Sequence, residues 1–257
     1  MSYWEVLILA IIEGITEFLP VSSTGHLIIF SRLLDIVPST FSTSFNITIQ
    51  LGAILAVVSL YGLRLKENKD LLFKVLVAFI PTAIIGLTAY STLKNYLLHN
   101  LALTVLALGV GGVLIILFER WYKKQLTISA NFNELTYTQA LWLGLAQALA
   151  IVPGVSRSGA TIIAGLYMGL PRVAVVEFSF LLAIPTMLAA TLYDLYKSAG
   201  SFVADDWSLL LFGFVVSYLT AWVTVKWLMK FIKTHDFTAF GVYRVLLAVL
   251  LWWLLLG

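Results

Sequence analysis

Glu13 and Glu17 stand four residues apart in 12-IEGITEFLPVSSTGHLI-28, inside an otherwise apolar run. That spacing places both carboxylates on one face of a helix. Side by side in apolar surroundings they repel each other, and a cation, a proton or an arginine must relieve them. A hard divalent ion held by carboxylate oxygens is one solution. A pair that snorkels to an interface or bonds to another helix is the bland one. Just downstream, Ser22, Ser23 and Thr24 can cap a following helix, Gly25 lets a ligand approach the backbone, and His26 completes the group. A helix N-terminus with free N–H groups suits phosphate. A hydroxyl nucleophile needs a base, and histidine or glutamate can serve.

A second polar cluster, 152-VPGVSRSGAT-161, supplies what the first lacks. Ser156, Ser158 and Thr161 offer hydroxyls around Gly154 and Gly159. Arg157 brings a planar donor fork that matches phosphate oxygens. An arginine in such surroundings is costly unless it is paired or ligand-bound. A structural salt bridge to Glu13 or Glu17 is the alternative, and it is compatible with a phosphate clamp if one contact relaxes as the other forms. The remaining polar residues are weaker signals. Asn46, Gln50, Gln147 and Glu177 read as interhelix hydrogen-bonding groups. Arg244 reads as pairing with an acid or snorkelling, and His99 and His235 as loop residues. No Walker loop, HExxH, zinc spacing or GxGxxG occurs, so nucleotide and zinc chemistry have no support.

The elements that must position these groups belong to a membrane. Of 257 residues 61% are hydrophobic and only 11% charged, against about 25% charged in a soluble domain. The net charge of +3 is modest and gives no footprint for nucleic acid. Without cysteine there is neither a disulfide framework nor thiolate chemistry. No basic region precedes the first apolar run, which is therefore not read as a cleaved leader. Six apolar segments, centred on residues 45–61, 73–90, 101–118, 178–193, 209–227 and 240–256, are long enough to span, since about 17–25 residues cross a bilayer. Two more, residues 3–34 and 137–170, are interrupted at the polar clusters, where Pro20 and Pro153 end helices. Irregular backbone at membrane depth is tolerated only inside protein or beside a water-filled cavity, so both read as re-entrant helix–loop–helix hairpins.

The hairpins also align with each other. Ser22 on Ser156 brings Gly25 onto Gly159 and Glu13 onto Gln147. Each half is then one hairpin and three spans, and an odd number of spans makes the halves opposite in orientation. The expected fold is an all-α polytopic membrane protein, one domain over residues 1–257. It has six transmembrane helices and two re-entrant hairpins in an inverted repeat of about 1–120 and 135–257. Arg64, Lys66, Lys69, Arg120, Lys124 and Arg172 fall on one side, while Arg32, Lys94 and Lys197 fall on the other. The positive-inside rule makes the first side cytoplasmic. Both termini are then outside, and the first hairpin opens outward.

"EGITEFLPVSSTGH" together with "PGVSRSGATI" closely resembles the undecaprenyl-diphosphate phosphatase family of bacteria, also called bacitracin-resistance proteins. "FSFLLAIPTMLAATLYDLYKS", residues 178–198, is similar to it as well. The resemblance covers essentially the whole chain. It implies a phosphatase of the inner membrane that converts undecaprenyl diphosphate to the monophosphate carrier and inorganic phosphate. That step recycles the carrier for peptidoglycan. The resemblance also implies dependence on a divalent cation, Mg2+ or Ca2+. It puts the acidic motif on Glu13 and Glu17, and the hydroxyl–histidine motif on Ser22, Ser23, Thr24 and His26. The arginine motif falls on Ser156, Arg157, Ser158 and Thr161. The expected chemistry is phosphoryl transfer to Ser23 with Glu17 or His26 as base, Glu13 and Glu17 at the metal, and Arg157 on the diphosphate. Gly25, Gly159 and the neighbouring hydroxyls complete substrate binding. Attack by water, or by His26, stays open. The rival expectation is a transporter or flippase of the same lipid carrier, motivated by hairpins entering from opposite faces. The partners expected are the polyprenyl diphosphate and the bilayer, and a homodimer is left open.

Overall fold

The structure, a computed structural model, describes residues 1–92, 100–123, 135–198 and 203–255. Lys94, His99 and Lys124 lie outside the described residues. Among those described, the chain forms ten α-helices: α1 (Tyr3–Thr16), α2 (Ser23–Leu33), α3 (Thr40–Glu67), α4 (Lys69–Thr92), α5 (Leu101–Tyr122), α6 (Tyr137–Ala148), α7 (Arg157–Tyr167), α8 (Arg172–Ser198), α9 (Ala204–Phe231) and α10 (Thr238–Leu255). Five of them, α3, α4, α5, α8 and α9, are long and apolar enough to cross a membrane, and α10 is a shorter apolar helix.

The sequence breaks fall where expected. Helix α1 stops at Thr16, before Pro20, and α2 starts at Ser23; α6 stops at Ala148, before Pro153, and α7 starts at Arg157. Both leading helices begin with a capping box. The Ser2 hydroxyl accepts from Glu5 N while Ser2 N donates to the Glu5 carboxylate, and Thr136 and Gln139 do the same. Each box satisfies N–H groups that a helix start leaves unpaired.

Packing follows the same order in both halves: α1 lies on α9 and α6 on α4, while α3 packs on α8 and α5 on α10. Glycine permits two of these approaches. A Cβ on Gly14 would lie 2.8 Å from the carbonyl oxygen of Ser217 in α9, and one on Gly144 would run into the Ala78 carbonyl of α4. Small residues at helix interfaces let backbones meet, which matters most where lipid removes the hydrophobic drive between helices. The break residue Phe18 is fully buried and meets Phe180 of α8 edge-on at 5.1 Å. Away from this core, Leu87, Leu219 and Trp253 are each more than half exposed. In water that surface would be an aggregation liability; hydrocarbon solvates it.

Ion pairs gather at one end of the bundle. Arg172 at the start of α8 grips Glu119 near the end of α5, with one of the two bonds at 2.9 Å, and Glu119 also accepts from Phe237 N at 3.0 Å. Arg64 pairs with Glu177, and Lys123 with Asp236 at 2.5 Å. Glu177 thus makes an interhelix bond, from α8 to α3, that is also an ion pair. These contacts join the ends where the basic residues are concentrated, as the charge asymmetry of the sequence requires.

Candidate active site

Two serines set the geometry. Ser22 and Ser156 precede α2 and α7 with φ of 70° and 78°, a region non-glycine residues seldom occupy and one that stores about 1–3 kcal/mol of strain. Each turns its hydroxyl back onto its helix. Ser22 Oγ accepts from Gly25 N at 3.4 Å, and Ser156 Oγ from Gly159 N at 3.1 Å. Helix geometry leaves the N–H groups of the first turn unpaired, those of Ser23 and Thr24 in α2 and of Arg157 and Ser158 in α7.

The two breaks touch. Ser158 Oγ donates to the carbonyl of Leu19 at 2.8 Å. Across the same seam Arg157 Nη2 donates to Glu17 Oε1 at 3.3 Å, while Nη1 donates to the carbonyl of Ser179 in α8 at 2.7 Å. The other oxygen of Glu17 accepts a short hydrogen bond from Ser23 Oγ. One buried carboxylate therefore holds both the hydroxyl of the first hairpin and the guanidinium of the second. Ser156 and Ser158 hydroxyls lie 3.2 Å apart, and Thr161 Oγ1 shares a 2.6 Å hydrogen bond with Ser179 Oγ, which ties α7 to α8. Thr24 sits partly buried at the start of α2.

Glu13 is fully buried, and neither of its carboxylate oxygens has a hydrogen-bond partner. A buried carboxyl without partners needs a proton or a counter-charge. Arg157 Nε is likewise buried without a partner. Among the described residues no group of three or more His, Cys, Asp or Glu gathers. Two adjacent carboxylates suit an oxygen-loving ion that completes its shell with water and substrate phosphate, the usual habit of Mg2+.

His26 is buried with both ring nitrogens engaged, Nδ1 with the Ser22 carbonyl at 2.8 Å and Nε2 with the Tyr243 hydroxyl at 2.7 Å. The carbonyl can only accept, so Nδ1 carries the proton. In the neutral ring Nε2 then accepts from Tyr243.

A family profile described as "Bacitracin resistance protein BacA" matches residues 6–250. A protein of Aquifex aeolicus (strain VF5) named Undecaprenyl-diphosphatase is 47% identical over 249 residues, covering 97% of each chain. One of the same name from Sulfurihydrogenibium sp. (strain YO3AOP1) is 47% identical across 98% of this chain and all of its own length. Another from Thermus thermophilus is 45% identical over 251 residues. The chain belongs to the BacA family.

Within this BacA-family chain, the residues singled out in the sequence converge: Glu17 joins Ser23 and Arg157 directly, and Ser158 ties the second break to the first through the Leu19 carbonyl. One expectation is corrected. Among the described residues Arg244 meets no acid, and it does not snorkel. Fully buried, it donates to five main-chain carbonyls: Pro20 of the first break, Gly154 and Val155 of the second, and Ala107 and Leu108 of α5. Carbonyls at broken helix ends are unsatisfied acceptors, and gathering several of them around one guanidinium solvates the charge without a carboxylate. Tyr243 and Ser179 were also passed over. An arginine inside an apolar segment was the available signal for α10, but carbonyl partners leave no trace in sequence. Gln147, which aligns with Glu13, bonds the Thr82 and Thr186 hydroxyls at 3.0 Å each, as an interhelix group should.

Proposed function

We infer that the chain is a membrane-embedded undecaprenyl-diphosphatase that converts undecaprenyl diphosphate to undecaprenyl phosphate and inorganic phosphate. It thereby recycles the carrier for peptidoglycan synthesis and confers bacitracin resistance. The relatives share that name along almost their whole length. The observation that carries the chemistry is the Glu17 carboxylate, bonded at once to Ser23 Oγ and to Arg157.

In this reading the diphosphate takes Arg157, together with the first-turn N–H groups of α2 and α7 and the hydroxyls of Ser22, Thr24, Ser156, Ser158 and Thr161. Gly25 and Gly159 lie in those first turns, each with its N–H on the capping serine. Arg157 turning to phosphate releases one oxygen of Glu17, and the other takes the Ser23 proton. Ser23 Oγ attacks the terminal phosphorus and the bond to the bridging oxygen breaks. The products are a phosphoserine and the lipid monophosphate. Water then cleaves the phosphoserine and releases inorganic phosphate. His26 fits the base or nucleophile less well, because its free lone pair already serves Tyr243. Glu13, with Glu17, would hold Mg2+ or Ca2+, which when bound offsets charge on the transferring phosphoryl group.

The fold reading that goes with this function is an inverted repeat, residues 1–120 and 135–257, with α1–α2 and α6–α7 as re-entrant hairpins and α10 as a sixth span. The matched capping boxes, matched strained serines and matched packing partners support it. The concentration of Lys and Arg at one end of the bundle favours an inner-membrane orientation with that end cytoplasmic. The termini and the first hairpin would then open to the outer leaflet.

The test is the purified chain in detergent with undecaprenyl diphosphate and Mg2+, reading phosphate. Release that disappears with Arg157→Ala is expected. A folded wild-type protein that releases none, yet moves the lipid between leaflets of vesicles, would make it the transporter.

A further inference from the structure

The strained turn before Ser23 carries a brace that its counterpart does not. Ser22 and Ser156 share the same left-handed backbone, and each carbonyl accepts one helical N–H, from His26 N at 3.2 Å and from Ala160 N at 3.0 Å. Only the Ser22 carbonyl takes a second donor, His26 Nδ1 at 2.8 Å. That ring is held in turn by Tyr243 of α10, through a 2.7 Å hydrogen bond at Nε2 and near-parallel stacking at 5.7 Å and 11°. The position corresponding to His26 is Ala160, so the second turn keeps its conformation with no imidazole at all. The brace is therefore not what the backbone needs in order to fold. It sits on the one turn of the two that delivers a hydroxyl to a carboxylate.

We propose that Tyr243 is a positioning residue for Ser23, acting through the His26 imidazole on the Ser22 carbonyl. The proposal rests on the reading of Ser23 as the attacking hydroxyl. Fixing the Ser22 carbonyl fixes the peptide that leads into Ser23, and with it the direction of Oγ toward Glu17 and the phosphorus. Misplacement by a fraction of an ångström at such a group lowers turnover rather than binding. Tyr243 touches neither Ser23 nor Glu17 in the structure, and its ring lies half exposed on the outer surface of the bundle.

The experiment is a double-mutant cycle on phosphate release in detergent, with 15N spectra of the histidine rings. Tyr243→Phe removes the hydroxyl and keeps the stacked ring. It should lower kcat about three- to tenfold with KM within about twofold of wild type, the effect of one lost hydrogen bond at a positioned group. His26→Asn keeps a donor near the place of Nδ1 and should retain more activity than His26→Ala. Added to His26→Asn, the Tyr243→Phe change should cost nothing further. In the wild-type protein the His26 ring should show the proton on Nδ1 and a hydrogen-bonded Nε2, and Tyr243→Phe should shift the Nε2 signal. Unchanged kcat in Tyr243→Phe, a change confined to KM, full multiplication of the two effects, or a proton resident on Nε2 would each overturn the proposal. If the wild-type protein releases no phosphate, the hydrolase reading fails instead, and the ring spectra still decide the brace.

Discussion

Ser23 and Arg157 occupy the same place in two copies of one turn. Each is the first residue of a helix that runs Ser23–Leu33 or Arg157–Tyr167, and each follows a serine with positive φ that caps its own helix. Their surroundings differ in charge and reactivity. The first turn has two carboxylates before it and an imidazole after it; at the matching places the second has Gln147, Ile151 and Ala160. What the comparison teaches is a division of labour. Two turns of like backbone start two helices that meet through Arg157 and Glu17, and under the proposed function the few side chains that differ make one the reactive partner and the other the anion-gripping partner. Glu17 joins Ser23 of the first turn to Arg157 of the second.

The largest effect should come from removing the cationic side. Arg157→Ala is expected to lower phosphate release about a thousandfold or more, the scale of losing an arginine that stabilises phosphoryl transfer. Arg157→Lys should recover only part, since an ammonium lacks the fork. Ser23→Ala comes next, at about a hundredfold or greater. Rapid quenching of the wild-type protein should yield phosphate on the Ser23 peptide, and label on His26 would reassign the nucleophile. Glu13→Gln tests the acidic side. Half-maximal activity should need about tenfold more Mg2+, with the folded fraction in detergent unchanged or raised. An unaltered metal requirement would remove Glu13 from that role. The smallest change is expected at the matching position of the second hairpin. Gln147→Ala should keep turnover within about threefold of wild type and lower stability by about 1 kcal/mol, from two interhelix bonds lost in a membrane setting. A large drop in turnover there would mean that both hairpins do chemistry.

The breaks were legible because proline, glycine and hydroxyl residues in oil have few structural solutions, and the charged groups were legible because burial makes each one expensive. That Glu17 rather than Glu13 pairs with Arg157 was not readable, because both lie on one helix face and the spacing does not choose between them. Arg244 was seen and given the wrong partner. Its bonds run to carbonyls of Pro20, Ala107, Leu108, Gly154 and Val155, and every residue type has a carbonyl. Tyr243 escaped notice for a related reason. A tyrosine in an apolar helix gives no signal of its own, and its hydroxyl meets an imidazole more than two hundred positions earlier.

Arg244 also sets an order of events during synthesis. Every group proposed for the chemistry has been joined to the chain once residue 161 has been made, but the guanidinium that fastens Pro20, Gly154 and Val155 together arrives only with α10. A nascent chain therefore holds a full set of reactive side chains for some eighty residues of elongation with the two turns unfastened to each other by this residue. Without α10 the two turns lose this bridge, so a product cut short before residue 244 is expected to release no phosphate however many of the proposed site residues it retains.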